Sequence, residues 1–298
     1  MANVSKARTG VLIRTLFEIL MAQPEGMRAS DAMTALANSV QMTAYEAGEY
    51  DSGGRRFDKI VRFATVDCVK AGWFLKEKGI WSITDEGKQA YLAIHDPEQF
   101  YRKAVELYWK WRKAQPSEDV GDVDADIESE ATKSASITLE TAEEAAWGEI
   151  EGYLSSMNEY DFQKLIGNLL DAMDYHVAWI APPGKDGGID LIAFNDPLGT
   201  RPPRIKVQVK RNAKSSRIDV IGLRSFMAVL GDDDVGLFVA LSGFTKDAEL
   251  EARQANRRVT LIDATRLVEL WTEHHDKLDD PARRRFPLKP VWFLAAGD

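Results

Sequence analysis

Two short apolar runs around a loop rich in proline and glycine restrict the fold of this chain more than any other feature. The runs are IDLIAF (189–194) and IKVQVK (205–210), and NDPLGTRPP lies between them. Consecutive strands joined by such a loop pair antiparallel by default, so the numbers of paired residues add to a constant. If Asp190 lies opposite Gln208, that constant is 398 and the loop centres on Gly199. The sequence therefore predicts an antiparallel hairpin in this register.

Polar side chains lie where this predicted hairpin ends. Alternation along the second run puts Gln208 and Lys210 on one face and Val207 and Val209 on the other. Oxygens from the Asp190 carboxylate, the Gln208 amide and the Val209 carbonyl can gather around a hard cation such as Mg²⁺, with Mn²⁺ as a substitute. Lys210 beside it could orient a water and stabilise charge on a phosphate. The set indicates metal-assisted phosphodiester hydrolysis, although the polar end of an exposed hairpin would give the same pattern.

Helical and strand-like segments alternate around the hairpin. Two amphipathic segments precede it, TLETAEEAAWGEIEGYLSSM and YDFQKLIGNLLDAMDY. The runs HVAWIA, VGLFVALS and VTLIDA are typical of strands, whereas IDVIGLRSFMAVL, TKDAELEARQAN and TRLVELWTEHHD are typical of helices. The order α-β-β-β-α-β-α-β followed by a helix predicts a mixed α/β sheet with helices on its faces.

The first part of the chain has the element order of a winged helix. VLIRTLFEILMAQ, ASDAMTALANSV and RRFDKIVRFATVDCVKAG show helical spacing, with Ser30 or Asp31 as the predicted cap of the second helix. WFLKEKGIWSIT then predicts two strands around a KEKG turn, and Thr84 a cap for the next helix. Three helices followed by a hairpin predict a winged helix, a variant of the helix-turn-helix.

Basic residues occupy the positions at which a winged helix would meet DNA. The early turns of the third helix and the predicted hairpin tip carry Arg55, Arg56, Lys59, Arg62, Lys76 and Lys78. In the C-terminal part, Arg211 and Lys214 follow the Gln-Val-Lys strand and could hold phosphates. A solvated charged face, or a winged helix that binds protein, would have the same composition.

The net charge of −9 does not exclude a DNA partner, because much of it is concentrated in one segment. SEDVGDVDADIESE (117–130) contains seven acidic residues, and the remaining chain carries 38 basic and 40 acidic residues. This segment predicts a flexible linker over 115–137 between domains at 1–114 and 138–298. No apolar run reaches the ~20 residues of a membrane span, and no signal-peptide core is present. With Cys68 as the single cysteine, these features predict a soluble cytoplasmic protein.

Residues 155–275 resemble the catalytic domain of Mrr-like restriction endonucleases in the PD-(D/E)xK nuclease superfamily. The similarity lies in YDFQKLIGNLLDAMDYHV, KDGGIDLIAF, VQVKR, GLFVALSGFTKDAELEA and VTLIDATRLVEL. The segment FDKIVRFATVDCVKAGWFLKEKGIWSITDEGKQA is similar to the winged-helix domain often fused to that nuclease. The resemblance implies an α/β fold class, with an N-terminal winged-helix domain followed by a mixed-sheet nuclease domain with flanking helices. It assigns the active site to Asp190, Gln208 and Lys210.

The resemblance also implies a function and exposes one departure from the family. It implies a Mg²⁺-dependent endodeoxyribonuclease that restricts foreign or modified DNA. Its substrate would be double-stranded DNA that can be methylated, and a homodimer or higher oligomer is expected if both strands are cut. Family members usually carry Phe-Glu at the first nuclease helix, and that Glu joins the metal site; this chain has Phe162 and Gln163. Asp190 is then expected to be the only carboxylate that binds the metal directly, unless Glu159, Asp161 or Asp186 contributes. An active nuclease and a DNA-binding regulator or defence-complex subunit with a degenerate nuclease fold both remain open.

Overall fold

The computed structural model describes residues 4–50, 54–114, 125–182, 188–211 and 217–293. Asp186, a possible additional carboxylate of the predicted site, and Lys214, predicted to contact DNA, lie outside these ranges. The chain divides into two compact units, Met1–Gly148 with Trp292–Asp298, and Glu149–Val291. Along the described stretches, no helix is both long enough and apolar enough to cross a membrane.

The first unit has the element order of a winged helix. Its helices are α1 (Lys6–Met21), α2 (Ala29–Ser39), α3 (Ala44–Ala47), α4 (Arg56–Lys70), α5 (Asp85–Ala93) and α6 (Pro97–Ala114). The strands β1 (Met27–Arg28), β2 (Phe74–Glu77) and β3 (Ile80–Ile83) form an antiparallel sheet of order β1-β3-β2. The predicted series of three helices and a hairpin is confirmed, and β1 and the short α3 are additions to it.

Helix α7 (Ala125–Ser156) runs through the segment predicted as the end of the linker. Residues 125–137 are helical, while residues 115–124 lie outside the described ranges. The unit boundary at Gly148 also falls later in the chain than the predicted boundary at residue 138. The physical reason is that side chains of α7, including Glu140 and Glu144, bind basic residues of the first unit.

Local chemistry explains how several elements of the first unit begin and turn. The Thr84 hydroxyl accepts a backbone hydrogen bond at 3.0 Å and caps α5, as predicted. Neither Ser30 nor Asp31 caps α2, because the helix begins before them and both lie in its first turn. Lys78 and Gly79 form the hairpin turn with φ values of 50° and 77°. Positive φ at both positions is typical of a two-residue hairpin loop.

A five-stranded mixed sheet forms the centre of the second unit. Its strands are β4 (His176–Ile180), β5 (Leu191–Phe194), β6 (Arg204–Lys210), β7 (Asp234–Ala240) and β8 (Val259–Ile262). They follow the order β4-β5-β6-β7-β8, antiparallel from β4 to β6 and parallel from β6 to β8. The helices are α8 (Glu159–Ala172), α9 (Val220–Ala228), α10 (Lys246–Gln254), α11 (Ala264–Glu273) and α12 (Asp280–Arg285). The predicted α-β-β-β-α-β-α-β order is confirmed.

The β5–β6 hairpin has the predicted register. Leu191 pairs with Val207, and the numbers of the paired residues add to 398 along the whole ladder. Along β6, Val207 and Val209 are buried, Gln208 is half-buried and Lys210 is exposed. The hairpin therefore presents the alternation expected from its sequence, with apolar residues towards the core and polar residues on the other face.

Candidate active site

Helix α8 carries Gln163 to the end of the β5–β6 hairpin. The side chain of Asn158 caps the helix, and an apolar face then packs on the sheet. One turn after Gln163, a Cβ added to Gly167 would lie 3.3 Å from Ile180 Cδ1 and 3.4 Å from Leu191 Cδ2. The glycine therefore lets α8 approach β4 and β5 closely, and Gln163 reaches the residue that precedes β5.

The carboxylate of Asp190 is buried and held by two hydrogen bonds. Asp190 is 4% exposed and Gln163 is 6% exposed. Gln163 Nε2 donates to Asp190 Oδ1 at 2.7 Å, and the backbone N–H of Val209 donates to Asp190 Oδ2 at 2.7 Å. The backbone of Asp190 is also bound on both sides, to Ala181 and to Val207, each at 2.8 Å. Donors from α8 and β6 thus fix the carboxylate at the end of the hairpin.

Gln208 and Lys210 lie on β6 at the same end of the hairpin as Asp190. The ladder ends with the pair of Leu191 and Val207, and Asp190, which precedes Leu191, donates its N–H to the carbonyl oxygen of Val207, the residue before Gln208. A Cβ added to Gly188 would lie 3.6 Å from Gln208 Nε2, so this amide lies against the backbone that leads into Asp190. Lys210 is exposed at the last position of the strand. The structure therefore gathers the three predicted site residues at one end of two adjacent strands.

Two site residues make contacts that the sequence did not predict. The N–H of Val209 donates to Asp190, a contact separate from the carbonyl oxygen that the sequence predicts as a metal ligand. Gln163 adds no charge to the site, and its amide is a direct hydrogen-bond donor to the Asp190 carboxylate. A buried carboxylate needs donors, so a glutamine on the apolar face of the adjacent helix was the signal available in the sequence.

The atoms around Asp190 suit a hard divalent cation that retains water. The Asp190 carboxylate, the amide oxygens of Gln163 and Gln208 and the carbonyl of Val209 are all oxygen donors of the kind that Mg²⁺ takes. Within the described ranges, no group of three or more His, Cys, Asp or Glu side chains is placed to hold a metal ion. A cation here would therefore depend on neutral oxygens, on water and on oxygens of a bound phosphate.

Replacing Gln163 by Glu should strengthen Mg²⁺ binding about tenfold, a gain of about 1.4 kcal/mol. In the variant, two carboxylates would face each other at hydrogen-bond distance and share one proton in the absence of a cation. A cation would displace that proton, so the gain should be larger at pH 8 than at pH 6. Thermal unfolding over a Mg²⁺ titration measures the effect, with Gln254→Glu on the exposed end of α10 as the control. Equal Mg²⁺ dependence in all three proteins would contradict a cation site here.

Four of the basic residues predicted to contact DNA lie at or near the start of α4 and at the hairpin turn of the first unit. Lys59 is exposed, and the cations of Arg56 and Lys59 lie over tyrosine rings at 4.7 and 4.8 Å. Arg55 forms an ion pair at 2.7 Å with the carboxylate three residues along the chain. Lys78 lies at the tip of the hairpin, 5.9 Å from the ring of Trp147. Because Arg55 also lies 5.3 Å from the ring of Phe57, all four of these cations lie against aromatic rings.

Arg62 and Lys76 are covered rather than exposed, which corrects the expectation for both. Arg62 binds Glu140 at 3.0 Å and Glu144 at 2.7 Å, and Lys76 binds Glu140 at 2.6 Å. The side chains of Arg62 and Lys76 are only 14% and 13% exposed. Lys76 is not at the hairpin tip but within β2, opposite Trp81. The reason is that α7 packs over α4 and the hairpin and supplies the carboxylates.

Arg211 follows β6 directly but is turned towards the protein. Its Nη1 donates to the carbonyl oxygen of Ser155 near the end of α7, and the side chain is half-buried. Part of the guanidinium is therefore already used to hold the backbone beside the site. Lys214, the other residue predicted to contact DNA in this unit, lies outside the described residues.

Two family models match the chain, one in each unit. Residues 11–92 match the Mrr N-terminal domain, and residues 154–271 match the restriction endonuclease family that forms the Mrr catalytic domain. A solved structure of MspJI restriction endonuclease in complex with a 27-mer oligonucleotide is 15% identical, with a TM-score of 0.36, and the alignment covers 70% of this chain but only 47% of that one. The comparison with curated proteins gave no match. Because both Mrr domains are present and follow each other along the chain, the protein belongs to the Mrr-like restriction endonucleases.

Proposed function

We propose that this protein is a Mg²⁺-dependent endodeoxyribonuclease that hydrolyses phosphodiester bonds in double-stranded DNA and restricts foreign or modified DNA. One observation carries the proposal: the buried, doubly hydrogen-bonded Asp190 carboxylate lies at the hairpin end that also carries Gln208 and Lys210. Side chains fixed in advance around a reacting phosphate are the main source of rate enhancement in such sites. The position of this hairpin within the restriction endonuclease match supports the same conclusion.

Each residue of the site has a separate task in the proposed reaction. Asp190, Gln208 and Val209 would hold the cation through oxygen atoms. When bound, Mg²⁺ supplies Lewis-acid assistance to hydrolysis and neutralises charge on the phosphate. Gln163 keeps the Asp190 carboxylate in place through its Nε2. Lys210, exposed at the strand end, orients the attacking water and stabilises the charge that develops on the phosphate oxygens.

DNA contact is proposed for the first unit, and pairing of two chains for double-strand cleavage. The cations on α4 and at the hairpin tip would bind the DNA backbone through Arg55, Arg56, Lys59 and Lys78. Each chain supplies one site of the kind described, so cutting both strands requires two sites. A homodimer, a higher oligomer or pairing induced by DNA would bring them together.

A second candidate function is that of a DNA-binding regulator or defence-complex subunit whose nuclease fold no longer cleaves. The observation that favours it is Gln163, which places an amide against Asp190 at the position where the family resemblance implies a glutamate. A site with less negative charge binds a divalent cation more weakly. If that affinity is too low, the chain would bind DNA without hydrolysing it.

Plasmid DNA incubated with the purified protein in Mg²⁺, in Mn²⁺ or in EDTA distinguishes the two candidates. The nuclease should produce nicked or linear DNA in Mg²⁺, and EDTA should abolish the product because the reaction depends on the cation. Methylated, unmethylated and branched substrates compared side by side reveal the preferred DNA. Intact plasmids in every condition, together with retained duplex binding in a gel-shift assay, would establish the regulator instead.

A further inference from the structure

Helix α7 covers the face of the first unit formed by α4 and the β2–β3 hairpin. Glu140 lies between Arg62 and Lys76, at 3.0 and 2.6 Å, and also accepts a hydrogen bond from Trp81 Nε1 at 3.2 Å. Glu144, one turn later, binds the Arg62 guanidinium through two hydrogen bonds of 3.0 and 2.7 Å. Each of the two Glu side chains is only 14% exposed. Glu140 therefore bridges helix α4 and strand β2, and Glu144 adds a second carboxylate to the contact with α4.

The contact extends along α7 on both sides of these two residues. Lys133, two turns before Glu140, forms an ion pair with the buried Asp67 of α4. After Glu144, the ring of Trp147 lies beside Lys78 at the hairpin tip. The backbone of α7 is so close to the hairpin that a Cβ added to Gly79 would lie 3.5 Å from the Cα of Glu144. Residues 133–148 thus form a continuous cover, which we call the α7 cover.

The carboxylates of the α7 cover accept hydrogen bonds from side chains that could otherwise donate to the phosphates of a DNA backbone. Helix-turn-helix proteins place one helix in the major groove, and basic side chains around it bind the phosphates. An arginine fork donates two parallel hydrogen bonds to a carboxylate or to a phosphate in the same bidentate manner, and a lysine binds either as a point charge. Glu140 and Glu144 therefore stand in the place of phosphate oxygens, and the two kinds of ligand cannot occupy Arg62 and Lys76 together.

The α7 cover is held in place by charged side chains that lose their hydration because α7 packs against α4 and the hairpin. Burial lowers the pKa of Lys76 and raises the pKa of Glu140, although each has a partner of opposite charge. Ion pairs of this kind contribute little net stability, because lost hydration offsets much of the attraction. Duplex DNA carries a dense line of phosphates and gains further free energy from counterion release when cations bind it. DNA is thus a strong competitor for the same two cations.

We propose that the α7 cover is an intramolecular competitor for DNA, which must leave α4 and the hairpin before Arg62 and Lys76 can bind phosphates. The proposal rests on the proposed DNA binding by the first unit, and it adds a closed state to that function. In the closed state the four cations Arg55, Arg56, Lys59 and Lys78 make the first weak contact. Displacement of the cover then adds Arg62 and Lys76 and tightens binding.

The double variant Glu140→Gln and Glu144→Gln tests the proposal while it preserves side-chain size. It should bind a labelled duplex about tenfold more tightly than the wild type, and the slope of log K against log salt should become steeper by about 1.8, as expected for two added phosphate contacts. The matched control is Glu143→Gln with Glu149→Gln, which removes the same charge from exposed positions of the same helix. Affinity and salt slope equal to those of the control would overturn the proposal.

A disulfide between the cover and the hairpin tests the same point without relying on a change of charge. The Cβ positions of Gly79→Cys and Glu144→Cys would lie 3.8 Å apart, the mean separation of about 3.8 Å in disulfides. Cys68 is buried and stays out of the reaction. The oxidised protein should bind DNA at least about tenfold more weakly than the same sample after reduction. Gly79→Cys alone controls for strain at its φ of 77°, and equal affinity in both redox states would overturn the proposal.

Failure of this proposal and failure of the proposed nuclease function give different results. Cleavage in Mg²⁺ is recorded for every variant beside DNA affinity. If the protein cleaves DNA, but neither the charge variants nor the disulfide changes its DNA affinity, only the proposal that the α7 cover competes with DNA is overturned. If DNA affinity changes as expected but no variant cleaves DNA, the competition by the α7 cover is supported and the proposed nuclease function is contradicted. Absence of DNA binding in every variant overturns the cover and the proposed DNA contact of the first unit together.

Discussion

Asp190→Asn is expected to lower the rate of DNA cleavage by about a thousandfold or more while DNA affinity stays within about twofold. The variant removes the negative charge that would hold the cation but keeps the shape of the side chain. The amide oxygen of the substituted side chain can still accept from Val209 N–H. Its amide nitrogen can donate to Gln163 Oε1 once the Gln163 amide turns over, because both amide orientations fill the same space. Folding should therefore be preserved, and the loss should be confined to catalysis.

Asparagine is a sharper test at this position than alanine. Alanine would leave the Val209 N–H and the Gln163 amide buried without their acceptor, at a cost of about 1–3 kcal/mol for each lost partner. Asp233→Asn makes the same charge change on an exposed loop of the same unit and serves as the control. Single-turnover cleavage measures the rate, and fluorescence anisotropy with a labelled duplex measures affinity. Cleavage by Asp190→Asn at the rate of the control would show that the site lies elsewhere.

Lys210→Ala is expected to slow cleavage by about a hundredfold to a thousandfold, again with little change in DNA affinity. The side chain is exposed at the end of β6, so its truncation removes an ammonium group without opening a cavity. Lys289→Ala, which removes an exposed lysine from the same unit, is the control. Because Lys210 and Asp190 would serve one chemical step, the double variant should be little slower than Asp190→Asn alone. A loss equal to the product of the two single losses would indicate that they act independently.

The hairpin that carries the site could be predicted closely from sequence because several local constraints agree there. Alternation fixes which side chains of β6 face the core, and the proline- and glycine-rich loop fixes where the chain turns. A register one residue away would have exposed Val207 and buried Gln208 and Lys210. The observed pairing of Leu191 with Val207 is therefore the register that the pattern favoured.

The contacts of Gln163 and of α7 could not be predicted in the same way, because they join residues far apart in sequence. Gln163 reaches Asp190 across 27 positions, and Glu144 reaches Arg62 across 82 positions. A glutamate on a helix surface can face water or a basic partner, and the local pattern is identical in both cases. The acidic composition before α7 also favoured a linker, although residues 125–137 are helical. Tertiary packing decided both outcomes.

The hydrogen bond from Val209 to Asp190 provides a signal by which the site can be observed directly. The resonance of an amide proton is sensitive to the charge on its acceptor. The Val209 N–H donates to Asp190 Oδ2, which lies 2.7 Å from the Val209 nitrogen. It lies inside the sheet, where exchange with solvent is slow. In protein labelled with ¹⁵N at valine, the Val209 peak should shift as a divalent cation draws charge from Asp190. One backbone resonance would then report occupancy of the site without substrate or turnover.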